Sequence, residues 1–121
     1  KLSFKFNGKT YHDYEGVALF DEERERLVND LGEKKLMILR NHGTLALGGN
    51  VAEAFTSIYF LEKACTYQVR AMAGKLELND PSDEAKETTR QQGEGSTSLA
   101  AALVWPAIRR KMEKIDPSFM N

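Results

Sequence analysis

The chain has 121 residues, which suits one domain and excludes two of ordinary size. Its 17 Lys and Arg residues nearly balance its 18 Asp and Glu residues, and a net charge of -1 argues against binding nucleic acid or a membrane surface through bulk positive charge. No apolar run is long enough to span a bilayer, and the single cysteine, Cys65, excludes an internal disulfide, so we expect a cytoplasmic protein.

The first third of the chain predicts one short strand and one amphipathic helix. Residues 2–6 alternate between apolar and polar side chains, which is typical of a half-buried strand, and Asn7-Gly8 follows as a turn signal. Residues 11–16 are polar and aromatic, and we expect a loop or an irregular extended segment there. The acidic residues that directly follow Asp21 favour the start of a helix there. Gly32 is suited to end that helix, because glycine readily adopts the left-handed conformation.

The middle of the chain predicts a β-hairpin followed by a long helix. The apolar run Leu36–Leu39 and the run Leu45–Leu47 are short enough for strands, and the four residues 41–44 include polar and small side chains suited to a turn. Asn50 is a good N-cap, and the pattern continues to Gly74, which predicts a helix of about 23 residues. The stripe expected on that helix comprises Val51, Phe55, Ile58, Glu62, Cys65, Val69 and Met72, broadened by Ala54, Tyr59 and Leu61.

The last third has a biased composition followed by a helical pattern. Residues 84–90 could form a helix, but the segment 75–97 carries no apolar stripe to anchor it, so we predict a linker or arm there. From about Ser98 to Lys114 a last helix is expected, kinked or restarted at Pro106. The predicted organisation is a domain over residues 1–74, an arm over 75–97 and a C-terminal helix over 98–121. The expected buried residues of the last helix are Leu99, Leu103, Ile108, Met112 and Ile115.

His42 is the strongest candidate for chemistry. It occupies the turn between two predicted buried strands, and a histidine on such a rigid support is suited to bind a metal or to move a proton. Gly43 beside it allows a positive φ or a close approach of a ligand. The structural alternative is a turn histidine that bonds a neighbouring carbonyl. No His-x-His or His-Glu-x-x-His pattern accompanies His42, and nothing in the sequence fixes the distance to His12.

Two further features have weaker functional interpretations. Cys65 lies on the apolar stripe of the long helix, so a packed thiol is favoured over a nucleophile. Gly48 and Gly49 precede that helix and offer backbone N–H groups to an anion, but glycines at helix starts are common.

The stretch Leu39–Phe55, with Asn41-His42-Gly43 near its start, resembles the class II aldolase/adducin family, as does the continuation to Leu61-Glu62-Lys63-Ala64-Cys65. Residues 11–16 and the segment from Trp105 to Phe119 resemble its adducin-like bacterial branch in particular. The resemblance extends over nearly the whole chain and corresponds to the C-terminal half of the family's domain.

The resemblance implies a fold and a metal chemistry. The expected architecture is a partial α/β domain: an α/β/α three-layer sandwich on a mixed, mostly antiparallel sheet. The family's enzymes act on small hydroxy-carbonyl compounds, often sugar phosphates, with zinc or another divalent metal as Lewis acid. His42 matches the third of three histidine ligands. The other two, and the acid/base carboxylate, belong to an N-terminal half that these residues do not include, so this chain alone is expected to be inactive. A homo-oligomer, usually a tetramer, is also implied.

Three functions remain open at this point. The first is the C-terminal portion of a metal-dependent aldolase-like lyase. The second is a non-catalytic adducin-like module for oligomerisation and association with actin and the cytoskeleton. The third is a half-domain without activity of its own. We take the first as our hypothesis because a purely structural module has no need to keep His42.

Overall fold

The structure is a computed structural model that describes residues 10–16, 21–74, 77 and 79–120. The strand predicted at residues 2–6 and the turn at Asn7-Gly8 lie outside the described residues. Within the described ranges, no helix is both long and apolar enough to cross a membrane. The elements in chain order are β1 (Thr10–His12), α1 (Asp21–Leu31), β2 (Leu36–Leu39), β3 (Gly43–Ala46), α2 (Val51–Ala73), α3 (Asp83–Ile115) and a short 3₁₀ helix (Pro117–Met120).

A mixed sheet in the order β1-β2-β3 forms the centre of the fold. β2 and β3 pair antiparallel, with Met37 opposite Leu45, which confirms the predicted hairpin. β1 pairs parallel to β2, with His12 opposite Leu39. Leu36 and Met37 are buried at the middle of this sheet, as expected for a strand with a neighbour on each side.

The loop or irregular extended segment predicted over residues 11–16 is wrong for its first two residues, because β1 extends from Thr10 to His12. The side chains of β1 are polar or aromatic, but its backbone pairs with β2, and Asp30 of α1 bonds the side chains of Thr10 and His12. The Thr10 hydroxyl donates to the backbone oxygen of Asp30 at 2.7 Å. α1 itself begins at Asp21 and is followed by Gly32 with φ 52°, as predicted.

Helix α2 has the predicted 23 residues and the predicted N-cap: the Asn50 side chain accepts from the Glu53 N–H at 3.0 Å. Its buried face agrees with the predicted stripe only in part: Leu61 is buried as expected, but other residues of the stripe are not. Val51 and Val69 are exposed, and the most buried positions carry mainly small side chains. Small residues let α2 lie close to β3 and to α3, so the contact face is not the most apolar face. The buried residues of α2 are Thr56, Ser57, Leu61 and Ala64.

Helix α3 corrects the predicted secondary structure of the arm. It begins at Asp83, not near Ser98, and it continues through Pro106 to Ile115 without being divided into two helices. The division of the chain into a domain, an arm and a C-terminal helix remains a prediction. The expected core of the last helix is also wrong, since Ala101 is the buried residue of α3 while Leu99 and Leu103 are exposed.

Candidate functional site

His42 lies on a tight turn at the end of β2. Asn41 takes the left-handed conformation with φ 55°, and the His42 N–H donates to the Leu39 oxygen at 3.1 Å. Gly43 permits a positive φ or a close approach of a ligand, but the left-handed residue of this turn is Asn41, since asparagine tolerates this region better than most residues. The His42 side chain is exposed, so the turn presents the imidazole at the edge of the sheet.

The parallel pairing of β1 and β2 brings two chain segments to that edge. The ends of parallel strands meet at the same side of a sheet, where α/β proteins commonly form clefts. Tyr14, two residues beyond β1, meets the His42 ring edge-on, with the ring centroids 6.3 Å apart. A small cavity of about 50 Å³ lies here. Its walls are His12, Asp13, Tyr14, Glu23, Leu27, Leu39, Arg40 and His42.

His12 forms a second wall of the cavity and is deeply buried, with 4% of its surface exposed. Its Nδ1 lies 2.7 Å from Asp30 Oδ2, and its Nε2 lies 3.5 Å from Glu23 Oε1. The hydrogen bond with Asp30 is the main reason that the pKa of His12 is raised, against the opposing effect of burial.

The sequence alone does not place His12 relative to His42. The structure shows that both histidines line the same cavity. The missing information was the register of β1 on β2, which turns His12 toward α1. The sequence contains one indication of this contact. Glu23 and Asp30 are seven residues apart, so their side chains share one face of α1 and can contact the same residue.

Two ion pairs border the cavity. The Arg40 guanidinium contacts Asp13, and Arg26 donates from Nε to Glu15 Oε1 at 2.8 Å. Arg26 is the main cause of the lowered pKa of Glu15. Asp13 and Glu15 are therefore paired with arginines of the chain itself, whereas the carboxylate of Glu23 in the cavity wall faces the His12 ring.

These residues do not form a complete metal site. In the part of the chain that the structure describes, no group of three or more His, Cys, Asp or Glu side chains can hold a metal ion. A zinc site needs three or four protein ligands. His42 is accessible and can supply one ligand, so any metal at this turn requires ligands from outside the described residues.

The backbone before α2 does not form an open anion site. The N–H of Gly49 donates to Glu53 Oε2 at 3.0 Å, and the N–H of Glu53 donates to Asn50. The chain's own carboxylate and amide thus occupy the donors that an anion would need. Cys65 is partly buried on α2, in line with the expected packing role.

The chain is similar to known proteins over most of its length. Residues 4–69 match the family described as "Class II Aldolase and Adducin N-terminal domain". A Caulobacter vibrioides protein, provisionally named an aldolase class 2 protein, is 44% identical over 112 residues, which cover 92% of this chain and 44% of that protein. A Pseudomonas aeruginosa protein with the same kind of name is 38% identical over 120 residues, covering 96% of this chain and 46% of that protein.

Two further similarities concern a solved structure and a eukaryotic protein. The crystal structure of an aldolase II superfamily protein from Pseudomonas syringae matches with a TM-score of 0.81 and 41% identity, covering 95% of this chain and 46% of that one. Alpha-adducin of Rattus norvegicus is 40% identical over 97 residues, covering 73% of this chain and 13% of that protein.

The match in structure confirms the predicted α/β fold with a mixed sheet of the class II aldolase type. The chain spans a little under half the length of the bacterial relatives. On the family match and these similarities, the chain belongs to the class II aldolase and adducin family.

Proposed function

We propose that this chain is the His42-bearing portion of a divalent-metal-dependent lyase that acts on a small hydroxy-carbonyl substrate of the sugar-phosphate kind. In this proposal His42 contributes one imidazole to a zinc ion or another divalent metal, and the remaining ligands come from outside the described residues. The chain alone is inactive, because it lacks the other ligands and the N-terminal acid/base carboxylate that its family resemblance implies.

The observation that carries the proposal is the position of His42. Its imidazole is exposed at the edge of the sheet, on a turn fixed by the left-handed Asn41, and next to a cavity. A histidine that served only the fold would be expected to pack inward or to bond a neighbouring carbonyl with its ring. A metal bound there would polarise a substrate carbonyl. The residues around it would hold the ring in place, with Tyr14 against its edge.

A second candidate function is a non-catalytic module for oligomerisation and cytoskeletal association. The similarity to rat alpha-adducin, 40% identity over 97 residues, favours it. The two functions differ in their need for a metal: the lyase requires one, and the assembly module does not. A cytoplasmic location and a homo-oligomeric state belong to both proposals. The single cysteine supports the location, and the exposed Leu99 and Leu103 of α3 support the assembly.

The test is the metal content of the full-length protein, purified without added metal or chelator and measured by elemental analysis. We expect about one divalent ion per subunit, on the stoichiometry of a mononuclear site, and a loss of most of it in His42→Ala. Arg40→Ala is the matched control, because it shortens a side chain of the same turn that cannot bind a metal. Metal content that is unchanged in His42→Ala would refute the ligand assignment, and a metal-free wild-type protein would favour the assembly module.

A further inference from the structure

Carboxylates bracket the buried His12 ring at both of its nitrogens. Nδ1 lies 2.7 Å from Asp30 Oδ2, while Nε2 lies 3.5 Å from Glu23 Oε1 and 3.9 Å from Glu15 Oε1. Asp30 and Glu23 belong to α1, and Glu15 belongs to the segment after β1. One side chain with 4% exposure therefore connects the end of β1 with two positions of α1.

A neutral imidazole does not suit these surroundings. It has one N–H donor and one acceptor nitrogen, whereas both nitrogens of His12 face carboxylate oxygens. Nε2 is also buried without a hydrogen-bond partner of good geometry among the described residues. An unprotonated Nε2 would thus point a lone pair toward Glu23, at an energetic cost inside the protein. An imidazolium donates from Nδ1 to Asp30 and places a positive charge 3.5 Å from the Glu23 carboxylate at Nε2, where the interaction is an ion pair.

We propose that His12 is a positioning residue that works as an imidazolium: it ties Asp30 and Glu23 of α1 to the end of β1, and it thereby holds Glu23 in the wall of the cavity that His42 shares. His12 would have this role whether or not His42 binds a metal, because its hydrogen bond and ion pairs among the described residues are with Asp30, Glu23 and Glu15 and not with His42.

The other charged groups around His12 do not neutralise the two carboxylates of α1 that face its ring. Arg26 of α1 pairs with Glu15 and reduces the negative charge near Nε2 from that side. On the β2 side the neighbour of His12 is the apolar Leu39, and the Arg40 N–H donates to the His12 backbone oxygen at 3.0 Å while its guanidinium contacts Asp13. Asp30 and Glu23 therefore remain the partners of the His12 charge.

The arrangement has a definite pH dependence. The pKa of His12 is raised in the folded protein, chiefly by the hydrogen bond with Asp30. A group whose pKa is raised by folding stabilises the folded state fully below its unfolded pKa, about 6.5 for histidine, and this contribution is lost as the pH rises through the folded value. We therefore expect the attachment of α1 to weaken as the pH rises above about 6.5 and passes through the raised pKa of His12 in the folded protein.

The direct test is a pH titration of the histidine rings of the full-length protein by ¹⁵N NMR, in the absence of added metal. We expect His12 to keep its second proton at a pH above the ordinary histidine value of about 6.5. Asp30→Asn and Glu23→Gln should each lower the pKa of His12. Glu25→Gln removes an exposed carboxylate two residues beyond Glu23 on the same helix, and it should leave that pKa unchanged as the matched control.

A second measurement separates positioning by charge from simple packing. The rate of amide hydrogen exchange in α1, corrected for its intrinsic pH dependence, should increase in the wild-type protein as His12 loses its proton. His12→Gln should not show this increase. If His12→Gln does not fold, the wild-type titration and Glu23→Gln still decide the matter. A His12 pKa at or below the ordinary value, or one that Asp30→Asn leaves unchanged, would overturn the inference. Neither result depends on the metal content, so the two proposals fail separately.

Discussion

At the scale of single residues, two backbone positions determine the shape of the chain around His42. Asn41 adopts φ 55° and reverses the chain directly before the histidine. Gly48 lies where the chain enters α2, and a Cβ atom there would lie 2.8 Å from Glu53 Cβ and 2.9 Å from the Asn50 oxygen. Gly43, by contrast, has open space around the position of a Cβ atom. Gly43, the first residue of β3, therefore tolerates a side chain better than Gly48, which follows the same strand.

We predict that Gly48→Ala destabilises the fold by about 1–3 kcal/mol, because the added methyl group would force the start of α2 to shift. Gly43→Ala is the matched control and should have little effect on stability, since no described residue other than the two chain neighbours has a heavy atom within 4 Å of the new methyl group. The measurement is urea unfolding of both variants and the wild-type protein. Equal stability of the two variants would contradict the close approach at Gly48.

The site itself could be predicted only in part from single residues. His42 was found because it lies in the Asn-His-Gly segment between two apolar runs. His12 was not placed, because its neighbours Asp30 and Glu23 come from a helix whose contact with β1 depends on the parallel strand pairing. Local sequence contains no direct information about a contact of this kind.

At the scale of elements, the sequence predicted α1, the hairpin and α2 well, but not α3. The first three have clear caps and short, well-bounded apolar runs. The first half of α3 has no apolar stripe, and polar contacts support it instead. Ser82 caps it by accepting from the Ala85 N–H at 3.2 Å, and Arg90 pairs with Glu87 and Glu94 one turn to either side. A search for apolar periodicity does not detect such a helix.

The contact between α2 and α3 includes a carboxylate. Glu53 Oε1 accepts from the Ser98 hydroxyl at 2.8 Å, and Oε2 accepts from the Gly49 N–H. These bonds, first of all the one from Ser98, lower the pKa of Glu53. A carboxylate whose pKa is lowered by folding stabilises the fold above its unfolded pKa, about 4.3 for glutamate, and loses this effect as the pH falls through the folded value.

We predict that Glu53→Gln reduces the loss of stability on acidification below about pH 4.3, because the variant has no carboxylate to protonate at this position. The measurement is the urea midpoint as a function of pH, compared with Glu25→Gln as a control on α1. If the urea midpoint falls as much on acidification in Glu53→Gln as in the wild-type protein, the ionised carboxylate does not stabilise the fold through its bonds to Ser98 and Gly49.

At the scale of the whole molecule, the chain spans a little under half of its bacterial relatives and exposes several large apolar side chains. Leu103 of α3 is 70% exposed, although its position suggested a core residue. Periodicity identifies an apolar face of a helix, but it does not identify what covers that face. The exposure of Leu99 and Leu103 on α3 is the observation on which the proposed homo-oligomer rests.

We predict that the full-length protein is a homo-oligomer in light scattering, and that Leu103→Glu shifts it toward smaller species because a charge replaces an exposed apolar side chain of the proposed contact face. Lys111→Glu, an exposed position on the same helix, is the control and should leave the assembly unchanged. A monodisperse monomer of the wild-type protein would contradict the proposal.

The most direct test of the proposed lyase function is anomalous X-ray diffraction at the zinc absorption edge from crystals of the full-length protein grown with zinc. The account predicts one strong anomalous peak about 2.1 Å from a ring nitrogen of His42, the usual Zn–N distance. A well-ordered His42 ring with no peak beside it, or a peak bound entirely by other residues, would contradict it.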